Sequence, residues 1–311
     1  MSESGLGCDP GYGGTDGWPL CNGSAIPFFG DHTVAIEFAH RVLAAVVTAL
    51  IVLLAWNGYK RLRELHWPLR LSVAAGVLVL IQAALGGLTV EHKLTEELVA
   101  AHLGLAMLLL GLVMWISVRT RAELSPAEPD AEAPPAPVRG LKPFAATAAV
   151  LVLCAIVAGG YVAGTEEEGV NSQHNNIAGA HMACGDQFPG CLDKGVAPFG
   201  ESRLSDIHLT HRMFVYAATL AVLVLLGVAY RRGSRSRLLL AVLLVLAAQF
   251  TLGVLNVLTG EHAWLIVAHL VTGTLLWASV LLVGYRLAWA PQPTGAAERL
   301  DRRATAAAAG A

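Results

Sequence analysis

The sequence has little charge and few aromatic residues: 14% of its 311 residues are Asp, Glu, Lys or Arg, and 7% are Phe, Trp or Tyr. The net charge of −2 provides no excess of basic side chains for binding nucleic acid. With 55% hydrophobic residues and a mean hydropathy of +0.57, the chain is too apolar for a soluble protein of this length. The composition therefore excludes a soluble domain and a nucleic-acid partner.

Several short motifs are also missing. The 5 cysteines form no CxxC pair, and the 11 histidines show no HxxxH spacing. Zinc is therefore disfavoured, because it requires several converging ligands. Paired Gly or Pro interruptions near the middle of the apolar runs, which are typical of transporters with internal repeats, are absent as well.

Long apolar runs are what the sequence does contain. A run of about 20 such residues crosses the ~30 Å apolar core of a bilayer. Seven membrane-spanning segments are predicted: Thr33–Trp56, Leu69–Val90, Leu98–Val118, Pro143–Ala163, Ile207–Tyr230, Leu238–Leu258 and Ala263–Ala288. The runs do not alternate with period two, which favours helices over spanning strands. An all-α membrane protein is therefore predicted.

Lys and Arg residues are concentrated in alternate loops. The positive-inside rule places those loops and the C-terminus in the cytoplasm, and the protein in the plasma membrane. The N-terminal tail and the loops 91–97, 164–206 and 259–262, which hold few basic residues, are then outside the cell. Residues 291–311 are predicted to be a disordered cytoplasmic tail.

Four of the cysteines fall in the outer segments, where an oxidising environment favours disulfides. Pairing nearest neighbours gives Cys8–Cys21 and Cys184–Cys191. A structural staple and a redox role remain alternatives for these pairs. Cys154 lies alone in an apolar run and is interpreted as a small core residue.

A Pro- and Ala-rich acidic stretch, residues 119–142, predicts a flexible cytoplasmic linker between two halves, 1–118 and 143–290. The halves share three motifs in the same order: IEFAHR and IHLTHR, QAALGGLTV and QFTLGVLNV, VAAHL and IVAHL. Such a repeat indicates a duplication whose copies have the same orientation. The chain is therefore expected to form two pseudo-symmetric helix bundles.

The two halves differ at their start. The second half has the run Pro143–Ala163 before its cysteine loop, whereas nothing equivalent precedes Cys8. No signal peptide accounts for an N-terminus outside the cell. A further N-terminal helix is therefore expected to be missing, which gives 3+4 helices, and a natural seven-helix variant is the alternative.

Each half carries two histidines inside apolar runs: His40 and His102, then His211 and His269. At 1.5 Å per residue, they lie roughly 6–10 Å below the outer boundary of the apolar core. Equal depth on neighbouring helices suits bis-histidine ligation of a haem iron. Any one of them could instead bond a facing carbonyl, but polar groups inside a membrane are usually functional.

Three glycines near these histidines, Gly86, Gly87 and Gly253, leave room for a flat ring or for close helix packing. Arg41 and Arg212 each follow a candidate ligand directly. These arginines are candidates to pair with haem propionates, or they reach towards the membrane interface.

Glu37 lies one helical turn before His40, so both side chains share a face. A carboxylate in that position can accept or relay protons. The equivalent residue of the second half is His208, which cannot supply the same negative charge. The difference suggests that one site carries out chemistry and the other passes electrons, although Glu37 could also simply contact interfacial water.

Taken together, the cysteine loops and the motifs EFAHR, LGGLTV, AAHL, HLTHR, LGVLNV and VAHL resemble the haem A synthase family, from Ser4 to about Tyr285. The resemblance implies two four-helix bundles and oxidation of the C8 methyl of haem O to the formyl group of haem A, for cytochrome oxidase. It implies that His211 and His269 ligate a haem b cofactor. His40 and His102 would face the substrate, with Glu37 essential beside it.

The resemblance also implies a Cys8–Cys21 disulfide with a role in electron or haem handling, although twelve residues separate these cysteines here. We expect two successive hydroxylations, then loss of water, with electrons arriving through haem b. The expected partners are haem O, haem O synthase, the lipid bilayer and an electron donor of unknown identity, and a homo-oligomer is left open. The alternative is a dihaem b-type cytochrome that only transfers electrons, which leaves Glu37 unused.

Overall fold

The computed structural model describes residues 24, 26, 32–61, 67–91, 95–124, 137–168, 177–260 and 262–290. Seven long helices lie in these ranges: α1 (His32–Arg61), α2 (Trp67–Glu91), α3 (Glu96–Leu124), α4 (Lys142–Gly164), α5 (Arg203–Arg231), α6 (Arg237–Thr259) and α7 (Ala263–Val283). All seven are long and apolar enough to cross a membrane. The prediction of an all-α, multi-pass membrane protein is confirmed.

Most helices extend beyond the predicted apolar runs, and in α5 and α6 local capping fixes where an end falls. The first turn of α5 is fixed by a capping box, in which the Ser202 hydroxyl accepts from the Ser205 amide and the Ser205 hydroxyl accepts from the Ser202 amide. At the other end of the next helix, α6 stops at Gly260, whose φ of 69° is the left-handed conformation that glycine tolerates best.

The helices and loops group into two compact units. Unit 1 comprises Met1–Leu109 with Gly159–Ala180, and unit 2 comprises Leu110–Ala158 with His181–Ala311. Helices α3 and α4 therefore each contribute residues to both units. The division of the chain at the linker 119–142 stays a prediction.

In unit 1, α1 packs against α2, and the first turns of α3 pack against the end of α4. The α3–α4 contact depends on two glycines. A Cβ on Gly160 would lie 3.3 Å from the Ala100 Cα, and one on Gly164 would lie 2.8 Å from the Glu96 Cα. Small residues thus bring the two backbones into close contact, as is common between membrane helices.

A small hairpin follows α4. Its strands, β1 (Glu166–Glu168) and β2 (Ile177–Gly179), are antiparallel, with Glu166 opposite Gly179. The hairpin is joined to the helix end through Thr165, whose carbonyl accepts from the Ala180 amide at 3.0 Å. It was not predicted from the sequence.

In unit 2, α6 packs against both α5 and α7. The last helix continues into one π-helical turn, Gly284–Ala288. Within that turn the Tyr285 hydroxyl donates to the Gly111 carbonyl at 3.0 Å, and the Tyr285 ring lies 5.0 Å from that of Trp115. These contacts hold the end of α7 against α3.

Candidate functional site

The four intramembrane histidines occupy matched positions on their helices. His40 and His211 each lie eight residues after the first residue of their helix, α1 and α5. His102 and His269 each lie six residues after the first residue of theirs, α3 and α7. The duplication inferred from the sequence is therefore preserved in the positions of the histidines along their helices.

Unit 1 brings His40 and His102 together. Their ring centroids are 6.2 Å apart, and the ring planes are tilted by 54°. A metal–imidazole bond of about 2 Å on each side, plus roughly 1 Å from nitrogen to ring centre, would place two such centroids about 6 Å apart. The spacing therefore suits a metal ion held between the two rings.

The imidazole of His102 lies in a space left by a glycine. A Cβ on Gly86 would lie 3.2 Å from the His102 Cε1 atom. Gln82, one turn earlier on α2, donates from its side-chain amide to the His102 carbonyl at 2.8 Å. The His102 Nδ1 atom is buried and has no hydrogen-bond partner among the described residues. Helix α2 thus positions His102 in two ways: Gln82 donates a hydrogen bond to its backbone, and Gly86 leaves space for its ring.

Unit 2 repeats this arrangement around His269. A Cβ on Gly253 would lie 3.0 Å from the His269 Cε1 atom, and its Nδ1 atom is also buried without a partner in the described part of the chain. The Gln249 amide nitrogen lies 3.2 Å from the His269 Nε2 atom, whereas Gln82 contacts the backbone of its histidine. The ring that fills the space beside each glycine is thus an imidazole.

His211 has a support that its counterpart His40 does not show in the described residues. Its Nδ1 atom lies 3.0 Å from the Ala155 carbonyl on α4. A carbonyl can only accept, so Nδ1 carries the hydrogen and Nε2 keeps a free lone pair. His211 is also close enough to His269 and His208 to interact with them electrostatically. The arrangement is the one expected of a metal-ligating histidine whose second nitrogen is anchored.

The two candidate arginines have different partners. Arg41 forms an ion pair with Glu37 at 2.6 Å, and their side chains are 19% and 17% exposed. Arg212 is only 5% exposed and donates to the carbonyls of Gly190 at 2.8 Å and Gln187 at 2.9 Å. Its Nε atom is buried with no hydrogen-bond partner in the described ranges.

The second cysteine loop is closed by a Cys184–Cys191 disulfide, the pairing expected for that loop. Both cysteines are buried together with Leu209 of α5. The other predicted pair, Cys8 and Cys21, lies outside the described residues. Cys154 is a half-buried free thiol.

Sequence reasoning missed the backbone partners of the site. Nothing in the residue types marks the carbonyls of Ala155, Gln187 or Gly190 as acceptors, because every residue has one. The repeated Gln-x-x-x-Gly spacing of Gln82–Gly86 and Gln249–Gly253 was the available signal for the histidine supports. The two glycine gaps, the orphaned Nδ1 atoms and the apolar surroundings all fit bis-histidine binding of haem.

Fold and site together define a multi-pass helical membrane protein with a duplicated, histidine-bearing framework. Residues 29–281 match the model of the COX15-CtaA family, described as cytochrome oxidase assembly protein. The chain belongs to this family.

Its relatives include three bacterial proteins named "Heme A synthase". The one from Halalkalibacterium halodurans is 28% identical over 297 residues, which is 91% of this chain and 87% of the relative. That from Sphingopyxis alaskensis is 31% identical over 259 residues, 81% and 69% of the two chains. That from Shouchella clausii is 30% identical over 247 residues, 78% and 76% of the two. The family assignment made from the sequence motifs is confirmed.

Proposed function

We propose that this protein is a haem A synthase, which oxidises the C8 methyl of haem O to a formyl group for cytochrome oxidase assembly. The family and the names of its relatives support this activity. The observation that carries it is the pairing of His40 with His102, whose ring centroids are 6.2 Å apart. His40 lies on α1, the helix that also bears Glu37.

The N-terminal pair would hold the substrate. Haem O would lie between His40 and His102, and Gly86 keeps the His102 ring in place without a competing side chain. In the described residues, neither Nδ1 atom of this pair has an anchor like the Ala155 carbonyl. A less constrained ligand pair suits a substrate that must enter and leave.

The C-terminal pair, His211 and His269, would ligate haem b as a resident cofactor. The Ala155 carbonyl fixes the tautomer of His211 and the orientation of its ring. When bound, haem b supplies one-electron transfer to the substrate site. Gln249 must release its contact with the His269 Nε2 atom for that nitrogen to act as a ligand, or the ring must turn.

The chemistry would be two successive hydroxylations of the C8 methyl, each of which consumes one dioxygen, two electrons and two protons and releases one water. The resulting gem-diol then loses water to give the formyl group. Glu37 would hold and transfer protons at its Oε atoms, one helical turn from His40. Its ion pair with Arg41 orients the carboxylate. Arg41 and Arg212 would pair with haem propionates, and the partnerless Nε of buried Arg212 leaves a donor for a carboxylate.

We further propose that residues 1–118 form the substrate-haem bundle, 143–290 form the haem b bundle, and 119–142 link them. The bilayer is the plasma membrane, with the cysteine loops outside and the C-terminus in the cytoplasm. The basic residues of alternate loops support this orientation. Haem O synthase is the expected source of substrate.

The test is to purify the protein from cells that supply haem O and to separate the extracted haems by chromatography. Haem A or its hydroxymethyl intermediate, in addition to haem b, is expected. A protein that binds two haems b and yields no modified haem would instead be a cytochrome that only transfers electrons. His102→Ala should abolish the modified haem while leaving haem b bound, and His211→Ala should remove haem b.

A further inference from the structure

The disulfide loop meets α5 at a single arginine. The Arg212 guanidinium donates from one terminal nitrogen to the Gly190 carbonyl at 2.8 Å, and more weakly to that of Pro189 at 3.5 Å. Its other terminal nitrogen donates to the Gln187 carbonyl at 2.9 Å. Three carbonyls from four consecutive residues therefore converge on one planar side chain.

An aromatic ring within the same loop completes the contact. The Phe188 ring centroid lies 5.7 Å from the guanidinium carbon of Arg212, a cation–π distance. Phe188 also lies edge-on to Tyr216 of α5, at 6.5 Å, and to Phe250 of α6, at 5.9 Å. The loop is thus inserted between two helices of unit 2 through Phe188.

The disulfide holds these carbonyls in place. The Cys184–Cys191 bond closes the segment that contains all three acceptors. Both sulfur-bearing residues pack on Leu209, and the three side chains are at most 1% exposed. The loop therefore contacts α5 on either side of His211, at Leu209 and at Arg212.

The chemistry of these contacts is specific to arginine. Arg212 is almost fully buried, and no carboxylate among the described residues pairs with it. Its charge is balanced by the dipoles of the carbonyls that accept from it. A lysine would keep the charge but not the planar fork or the stacking.

We propose that Arg212 is a positioning residue that fixes the outer turn of α5, and with it His211, to the disulfide loop. The inference rests on the proposed role of His211 as a haem b ligand. Arg212 follows His211 directly, so a loop that holds Arg212 restricts the helix rotation available to the ligand. This role adds to any contact with a propionate and gives the second cysteine pair a function in shaping the haem b site.

The first test measures how well the loop is protected. A dithiol reductant breaks the Cys184–Cys191 bond to give two thiols, and itself becomes a disulfide. The thiols are then alkylated and counted by mass spectrometry of the peptide that contains them. Arg212→Gln and Arg212→Lys should each speed the reduction at least about tenfold, the factor that corresponds to ~1.4 kcal/mol of lost docking.

The matched control is Lys194→Gln, which removes the Lys194–Glu201 ion pair from the same region without touching Arg212. It should leave the reduction rate unchanged. A wild-type rate in Arg212→Gln would overturn the proposal. So would a wild-type rate in Arg212→Lys, because charge alone would then suffice. If neither variant folds, Phe188→Leu, which keeps the buried charge partnered, must accelerate reduction for the proposal to stand.

The second test examines the ligand itself in purified holoprotein. Arg212→Lys should retain haem b but alter its low-spin electron paramagnetic resonance signal and its midpoint potential, and reduction of the loop in the wild type should produce a similar change. An unaltered signal in both cases would overturn the proposal. The protection of the disulfide from reduction depends on neither haem nor turnover. Failure of the proposed role of Arg212 can therefore be distinguished from failure of the proposed haem A synthase activity.

Discussion

At the scale of single residues, Glu37 marks the chemical difference between the two halves. It forms a close ion pair with Arg41 on α1, whereas the equivalent position on α5 holds the buried His208. This difference is the one expected if one half carries out the chemistry and the other half passes electrons. The sequence alone predicted this difference, because the motifs align without gaps around the histidines.

Replacing Glu37 by Gln should lower haem A formation by about 100-fold, within the range attributed to general acid–base catalysis. Haem b content should not change, because Glu37 lies on the other unit's helix. Chromatography of extracted haems measures both quantities. Glu97→Gln is the control, since Glu97 is another unit 1 carboxylate, in the first turn of α3. Equal losses in the two variants would argue against a special role for Glu37.

The glycines beside the histidines offer a second prediction. Gly253→Ala would place a Cβ 3.0 Å from the His269 ring and should lower haem b occupancy, at a cost of about 1–3 kcal/mol for overpacking. Gly86→Ala, at 3.2 Å from the His102 ring, should impair haem A formation but leave haem b bound. Optical spectra of the purified proteins measure haem b.

Two other helical glycines provide the controls. A Cβ on Gly76 or Gly227 would meet nothing within 4 Å, so alanine there should change neither haem binding nor product. If Gly86→Ala and Gly253→Ala are equally silent, the imidazoles do not depend on these gaps.

At the scale of elements, the apolar runs predicted all seven helices, because burial in lipid leaves a clear signal in composition. The exact ends were less predictable. Helix α5 begins at Arg203, four residues before the predicted run, because Ser202 caps it through hydrogen bonds that hydropathy does not measure. The β1–β2 hairpin was missed because three consecutive glutamates have low strand propensity.

The packing of α3 on α4 leads to a stability prediction. Gly164→Ala would place a Cβ 2.8 Å from the Glu96 Cα, and a backbone atom cannot move aside as a flexible side chain can. The variant should lose about 1–3 kcal/mol of stability. A lower midpoint of thermal unfolding in detergent is expected, whereas Gly76→Ala should match the wild type. Equal midpoints for all three proteins would contradict the close contact.

At the scale of the whole molecule, the positions of positive charges predict the orientation in the membrane. Lys194, whose side chain is 55% exposed, lies in a loop predicted to be outside the cell, and Ser125 lies in the predicted cytoplasmic linker. Lys194→Cys should therefore react with a membrane-impermeant maleimide in intact cells. Ser125→Cys should react only after the membrane is permeabilised. The unaltered chain provides the background, and the opposite labelling pattern would reverse the proposed topology.

The boundaries of the two compact units could not be predicted from the sequence. Repeats at His40 and His211 predicted the duplication, because motif spacing is a property of sequence. The compact units instead divide α3 after Leu109 and α4 after Ala158, which depends on which turns touch. Such contacts arise where two backbones approach closely, as at Gly160 and Gly164. The presence of a glycine in the sequence does not reveal which residue it contacts.

The hydrogen bond between His211 and the Ala155 carbonyl joins two helices that are neighbours in the chain. During synthesis, α4 and α5 leave the ribosome before α6 and α7, so one imidazole can be oriented while the opposing one is not yet made. Under the proposed ligation, haem b can bind only after α7, which carries His269, has been made. A nascent polypeptide arrested before that point would have His211 already oriented by the Ala155 carbonyl but would lack the opposing histidine.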